Sequence, residues 1–303
     1  MTTPPLPDRA SVRRGIALVC AAVVLFICMD TTAKYLAARL PVLEVIWARY
    51  LLSWLLAAVV FSPRMGWRLW RTRRLGTQLA RGVALVASTL CFVSALVYLP
   101  LAEALALGLV SPILVALMSG PWLGERVRRA QWIAIAGGFV GVLIVLRPGG
   151  GIFQWAALLP LLSAAGYSVY LILTRKVSGG EHPVTSLFYG SLVGAVGLSL
   201  ILPWVWQTPP DIATGALLVV LGVLGAVGHF LLIKAFEMAP AATLAPYSYT
   251  QMVWAIALGY VVFGDFPDAM TLLGIAVIVG AAIGISLADA RRHSPAGGAS
   301  AAE

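Results

Sequence analysis

Ionisable and hydrogen-bonding side chains that interrupt apolar runs are the residues of this sequence best placed to do chemistry. Asp30, Arg49, Arg81, His229 and Lys234 each stand in such a run. A charge there costs about 2.5–3.5 kcal/mol on insertion scales, so each needs a partner or a water-filled face. Asp30 and Arg49 lie about eight residues either side of a turn centred on residues 38–41. At about 1.5 Å rise per residue both then stand roughly 12 Å below one boundary, within reach of each other. Two roles fit Asp30: a structural ion pair with Arg49, or a cavity carboxylate that exchanges a proton or binds a substrate ammonium. His229 is the only histidine inside an apolar run. A titrating imidazole suits proton coupling, and a neutral hydrogen-bonded ring suits packing. Lys34 and Arg81 are expected to snorkel to the two surfaces. Glu44 and Glu103 are expected to open helices at the outer surface, and Glu125 and Asp265 to close helices on opposite sides, by solvation or capping, with gating contacts as the alternative.

Polar stripes at helical spacing add uncharged groups. Tyr247, Thr250, Gln251 and Trp254 fall at i, i+3, i+4 and i+7, which puts hydroxyl, amide and indole groups on one face of a continuous helix. Those atoms would be unsatisfied in lipid, so the face points inward, either to a cavity or to neighbouring helices as hydrogen-bonding glue. The corresponding face 140 residues earlier reads Leu107, Val110, Ser111 and Leu114, so a cavity between them is amphipathic. Tyr167 and Tyr170, with Ser163 and Thr174, share a face on which rings stack on a planar or cationic substrate or simply pack. Pro112 and Pro246 remove intrahelical bonds and are expected to bend their helices.

Several chemistries are excluded. The three histidines, His182, His229 and His293, are far apart and form no HExxH, and there is no G-x-S-x-G, so neither a metal site nor a hydrolytic site is written in the chain. Without a G-x-x-x-x-G-K-[ST] loop it does not hydrolyse ATP itself. Cys20, Cys28 and Cys91 lie in apolar runs without ligand spacing. No cofactor is expected, and the reading is not that of an enzyme.

The elements that position these residues are membrane helices. Of 303 residues, 60% are apolar and 11% charged, with mean hydropathy +0.93, where a soluble domain carries roughly a quarter charged residues. At about 20 apolar residues per span the sequence predicts ten, at 15–36, 42–61, 78–98, 102–120, 130–147, 154–174, 184–203, 213–235, 241–263 and 269–288. The first is read as a retained helix rather than a cleaved signal, and residues 289–303 as a disordered tail. With the N-terminus inside, fifteen Arg and Lys residues fall in cytoplasmic segments, chiefly Arg13, Arg14, the Arg64–Arg74 group and Lys176, and only Lys34, Arg39 and Arg147 fall outside. The positive-inside rule then puts both termini (residues 1–14 and the tail) in the cytoplasm of a bacterial-type inner membrane. The formal charge of +9 is dispersed over short loops, which argues against nucleic acid.

The second half repeats the first. Pro100 corresponds to Pro240, and Leu123-Gly124-Glu125 to Phe263-Gly264-Asp265, at an offset of 140 residues. Five helices per unit make the copies enter the membrane from opposite sides, giving an all-α integral membrane fold of ten helices as a 5+5 inverted repeat over 15–147 and 154–288. Gly137-x-x-x-Gly141, Gly190-x-x-x-Gly194 and Gly280-x-x-x-Gly284 favour close internal helix packing, in a monomer or weak homodimer.

Ser111-Pro112 followed by Leu123-Gly124-Glu125-Arg126 and Gln131-Trp132, with Trp47-Ala48-Arg49-Tyr50 and Arg81-Gly82 before them, resembles the first EamA repeat of the drug/metabolite transporter superfamily. Gly228-His229-Phe230, Lys234-Ala235-Phe236, Ala245-Pro246-Tyr247-Ser248-Tyr249 and Phe263-Gly264-Asp265-Phe266-Pro267 resemble the same family in the second half. The resemblance implies a central cavity between the halves and movement of a small organic solute. The expected function is secondary transport by alternating access, as export of an amino-acid-like or amino-acid-derived compound, metallophores included. The alternatives are uptake of a flavin or nucleoside-like nutrient, or a non-transporting helper protein. The expected substrate cavity comprises Asp30, Ser111, Tyr167, Tyr170, His229, Tyr247, Thr250, Gln251 and Trp254, with Asp30, Arg49 and His229 as candidates for ion pairing or proton coupling.

Overall fold

A computed structural model describes residues 9–123, 129–146, 155–178, 181–238, 244 and 247–293. Glu125, Arg147, Pro240, Pro246 and residues 294–303 lie outside them. The described chain is helical: α1 Arg9–Ala37, α2 Val42–Met65, α3 Leu75–Tyr98, α4 Leu101–Gly108, α5 Ser111–Leu123, α6 Arg129–Leu146, α7 Leu158–Ser178, α8 Pro183–Ile201, α9 Ile212–Met238, α10 Gln251–Leu258 and α11 Ala269–His293. Helices satisfy every backbone group within the segment, which hydrocarbon demands. Six of these stretches are long and apolar enough to cross a membrane, and four shorter apolar segments lie at Leu101–Val115, Ala136–Leu146, Gln251–Phe263 and Ala269–Ala281. The outer shell is apolar too, with Val59, Ile133, Phe139 and Val261 each more than 60% exposed. Such a surface is stable against lipid and not against water. Trp67 and Trp70 ring one end of the bundle, and Trp155, Trp204 and Trp206 the other, all exposed, as interfacial aromatics do.

Three departures from the sequence reading concern helix continuity. The span expected over 102–120 is broken by a turn at 109–110, and Pro112 falls in the first turn of α5, where its missing N–H leaves no bond unmade. The span expected over 241–263 is broken by a turn at 249–250 and ends in a π-helical turn at Gly259–Phe263. The two turns are 140 residues apart, the offset of the repeat. At the C-terminus, α11 continues to His293, past the expected start of the tail.

Helix pairing follows the same repeat. If α1, α2, α3, α4/α5 and α6 correspond to α7, α8, α9, the α10 segment and α11, then α1 against α9 mirrors α7 against α3. Likewise α2 against α9 mirrors α8 against α3, and α1 against α10 mirrors α7 against α4/α5. The pairs α2–α8, α4–α10 and α6–α11 map onto themselves. Glycines set several of these approaches: Gly141 and Gly274 meet where α6 crosses α11, and a side chain at Gly194 of α8 would run into the Tyr50 ring of α2. One apolar core gathers on α4, with Met252, Ala255, Ile275 and Ile278. A second joins α1, α2, α8 and α9 through Leu36, Ile46, Tyr50, Ala195 and Leu221.

Candidate transport cavity

The strongest pairing without a comparable mirror image is that of α1 with α3. α1 touches α3, but their counterparts α7 and α9 make no comparable contact. Between them lies a cavity of about 230 Å³ walled by α2, α3, α7, α8 and α9. α2 contributes Arg49, Ser53, Ala57 and Phe61 along one face, α9 contributes Ala226, His229 and Phe230, α7 contributes Tyr170, and α8 contributes Ser186, Gly190 and Ser191. These residues run from mid-bundle to the end carrying the α2–α3 and α7–α8 connections. There the α2–α3 connection is bonded to α8 and α7: Tyr189 donates to the Trp70 carbonyl (2.8 Å), and Arg74 to that of Lys176 (2.7 Å).

Arg49 is the cation of this cavity. Its stem passes Gly225, whose Cβ position is 3.9 Å from Arg49 Cγ, and its guanidinium stands 5.6 Å from the Tyr50 ring centre. The pair expected with Asp30 is not formed: no ion-pair contact joins the two. Asp30 is instead buried on α1, with the charge of Arg49 acting on it as it does on Tyr50, Tyr167 and His229. The His229 ring packs at 4.9 Å on Phe26 of α1. Tyr170 stacks on Tyr167 at 5.5 Å. Tyr50 is fixed from its far side, its hydroxyl 2.7 Å from Thr89 Oγ1.

Of the residues expected to line a cavity, Tyr170 and His229, together with Arg49, lie on this one. Tyr167 stands behind Tyr170, and Asp30 is off the wall. Ser111 is buried at the start of α5, where its carbonyl accepts from Ser168 Oγ at 3.0 Å. The turn at 249–250 divides the stripe Tyr247, Thr250, Gln251 and Trp254, so those residues do not share one continuous helical face. Thr250 Oγ1 bonds the Tyr247 carbonyl at 2.6 Å, and Tyr247 and Trp254 are 37% and 43% exposed. Tyr50, Ser53, Ser186 and Gly190 were missed. The available signal was the spacing of Arg49, Ser53 and Ala57 at i, i+4 and i+8, one polar-to-small face on a helix otherwise read as oil.

The opposite end is closed. Lys34, expected to snorkel outward, turns inward instead, because stronger acceptors are at hand. Its ammonium donates to the Leu99 carbonyl at 2.6 Å, pairs with Asp265 at 3.4 Å and lies 5.1 Å from the Phe263 ring centre. Gly264 makes this possible: its left-handed φ of 74° ends the π-turn, a conformation glycine adopts without a Cβ clash. Its neighbour Asp265 is thereby turned toward α1. On the same end Trp47 Nε1 donates to Ser199 Oγ at 2.8 Å and packs edge-on against Trp206. Glu44, expected to be solvated or to cap α2, with a gating contact as the alternative, is fully buried and accepts the Gln207 N–H at 3.0 Å. Asp211 caps α9 by accepting the Thr214 N–H at 2.7 Å, which holds its carboxyl below the usual carboxylate range.

A polytopic helical bundle with an apolar shell, a repeated broken helix and a largely apolar cavity bearing a few polar groups, Arg49 and His229 among them, defines a membrane transporter. A sequence model of the EamA-like transporter family matches residues 13–147 and 154–287, and the chain belongs to that family. It is similar to a riboflavin transporter of Rhizobium johnstonii, 30% identical over 290 residues and covering 95% of both chains. It is also similar to an S-adenosylmethionine uptake transporter of Rickettsia bellii, 30% identical over 265 residues, covering 88% of this chain and 90% of the relative. A pseudopaline exporter of Pseudomonas aeruginosa is 29% identical over 281 residues, covering 90% and 96%. A solved crystal structure shares the fold, with a TM-score of 0.65 at 20% identity over 95% of this chain and all of the other. The family and these relatives are transporters of small metabolites and not enzymes, as the absence of catalytic motifs implied.

Proposed function

We propose that the chain is an inner-membrane secondary transporter that exports a carboxylate-bearing, amino-acid-derived metabolite by alternating access. The observation that carries the substrate class is Arg49: a guanidinium on the cavity wall with no acidic partner among the described residues. A half-buried cation that forms no ion pair is costly, and a substrate carboxylate would supply the missing partner through a charge-assisted bond. Tyr170, Phe61, Phe230 and His229 supply apolar and aromatic surface for the remainder of the solute. Ten spans in two inverted five-helix units are supported by the matched turns and exchangeable pairings. Placing the cavity end in the cytoplasm is supported by the arginines of the α2–α3 connection, and both termini then lie inside. In this state the cavity is open toward the cytoplasm and the Lys34–Asp265 clamp closes the other side. Asp30 and His229 are the groups proposed for proton coupling, since the chain has no ATP-hydrolysing loop.

Uptake is the second reading, favoured by the similarity to the S-adenosylmethionine uptake transporter of Rickettsia bellii. Metabolite profiling of a deletion strain separates the two. Export expects a carboxylated metabolite to accumulate in cells and vanish from the medium, whereas failure to take up a supplied nutrient overturns export. In proteoliposomes Arg49→Gln is expected to raise the half-saturation constant at least about tenfold at unchanged protein level, since a hydrogen bond to a charged group contributes about 1.5–3 kcal/mol. No saturable flux of any carboxylated solute would leave a helper role.

A further inference from the structure

A second guanidinium lies directly behind the cavity wall. Arg81 is 2% exposed and stands between α3, α7 and α8. Its Nη1 donates to Thr174 Oγ1 at 3.3 Å, its Nη2 to the Ser186 carbonyl, and its plane is 5.2 Å from the Tyr170 ring centre. No carboxylate pairs with it among the described residues. Its Nε is buried without a partner, and so is Oε1 of neighbouring Gln78, whose Nε2 donates to Ser186 Oγ at 3.0 Å. The expectation that Arg81 snorkels is therefore wrong; Thr174, Ser186 and Tyr170 hold it inside. Burying an unpaired guanidinium with an orphan donor is expensive, and such groups in membrane helices face a pathway.

The wall between Arg81 and the cavity is thin at one point. Ser186, Gly190 and Tyr170 all line the cavity, and Gly190 has no side chain to fill the gap: its vacant Cβ position is 3.5 Å from Arg81 Nη2 and 3.9 Å from Leu85 Cδ2. We propose that Arg81, reached past Gly190, is a second anion-binding pole of the cavity, so that the transported solute carries two acidic groups held between Arg49 and Arg81. This inference rests on the reading of Arg49 as the first anchor. It narrows the substrate class from a carboxylate to a dicarboxylate.

The test uses the purified full chain in detergent and two probes, butyrate and glutarate, with affinity read from ligand-induced thermal stabilisation. Wild type is expected to bind glutarate at least about tenfold more tightly than butyrate, the margin of one further charge-assisted contact. Arg81→Gln is expected to reduce that ratio below about threefold while butyrate affinity stays. Gly190→Ala is expected to reduce the ratio likewise without disturbing the fold, because the added methyl makes only ordinary van der Waals contacts; it decides the matter if Arg81→Gln fails to fold. Arg81→Lys keeps the charge and is expected to retain part of the ratio. A folded Gly190→Ala or Arg81→Gln protein with the wild-type ratio overturns the proposal and leaves Arg49 as the sole anchor. Butyrate binding unchanged in Arg49→Gln, or no binding of either acid to wild type, overturns the underlying reading and this one with it.

Discussion

Cutting the Lys34 clamp should populate the state open at the opposite end, by an amount the contacts allow to be worked out. Asp265→Asn removes only the 3.4 Å ion pair, whose acidic partner is 37% exposed. Screened pairs of this kind contribute about 0.2–1 kcal/mol, which is a change of about 1.4- to fivefold in the ratio of open to closed molecules. Lys34→Met removes in addition the 2.6 Å bond to the Leu99 carbonyl and the contact with Phe263. A charge-assisted bond at a position 14% exposed brings the total to about 2–4 kcal/mol, or about 30- to 700-fold. Spin labels on cysteines at Ala38 and Phe266, both exposed, in a chain whose Cys20, Cys28 and Cys91 are serine, report the separation of α1 from the α10–α11 loop by pulsed electron resonance. A longer distance is expected, with Lys34→Met well beyond Asp265→Asn. Equal shifts in the two variants, or none in either, would refute the reasoning, since the carbonyl bond to Leu99 would then contribute nothing to closure.

Three further outcomes follow from the site and its supports. Asp30→Asn is expected to flatten the pH dependence of flux in proteoliposomes; an unchanged profile with lowered protein level marks Asp30 as structural. Gly194→Ala drives a methyl into the Tyr50 ring, which is tethered by its bond to Thr89, and should cost about 1–3 kcal/mol of overpacking strain, read as a lower Tm in detergent. Asp211 has a depressed carboxyl pKa, so its contribution to stability is full above the unfolded value near 3.8 and is lost as pH falls below it. Acid melting curves should show that loss in wild type, and Asp211→Ala should lack it.

Much of the architecture was legible in the sequence because lipid imposes it. Long apolar runs must be helices, and the 140-residue offset joined Pro100 to Pro240 before any helix was seen. The breaks at 109–110 and 249–250 were legible only as the bends expected from nearby Pro112 and Pro246; their positions were not, because Leu109, Val110, Tyr249 and Thr250 include no glycine or proline. Depth along a helix told where Lys34 and Arg81 sit, but not which way they turn, because that depends on acceptors from helices remote in sequence: Leu99 and Asp265 for one, Thr174 and Ser186 for the other. The same limit explains the cavity. A helical face can be read from spacing, as for Arg49, Ser53 and Ala57, yet whether it borders a void depends on α7 and α9 being held apart.

The looser approach of α7 to α9 gives the two-fold register a consequence for the transported solute. At an offset of 140 residues Tyr170 corresponds to Asp30, and Gly190 to Tyr50. If the halves trade shapes, the vacant chamber reappears between α1 and α3, with a carboxylate where the phenol stood and a ring where the opening to Arg81 lay. The acidic solute proposed above would then meet Asp30 in place of Tyr170. Two rooms built on one plan, with Tyr170 in one where Asp30 stands in the other, would hold such a solute with different strength, a difference that sets the rates of capture and release and not, by itself, the direction of net flux.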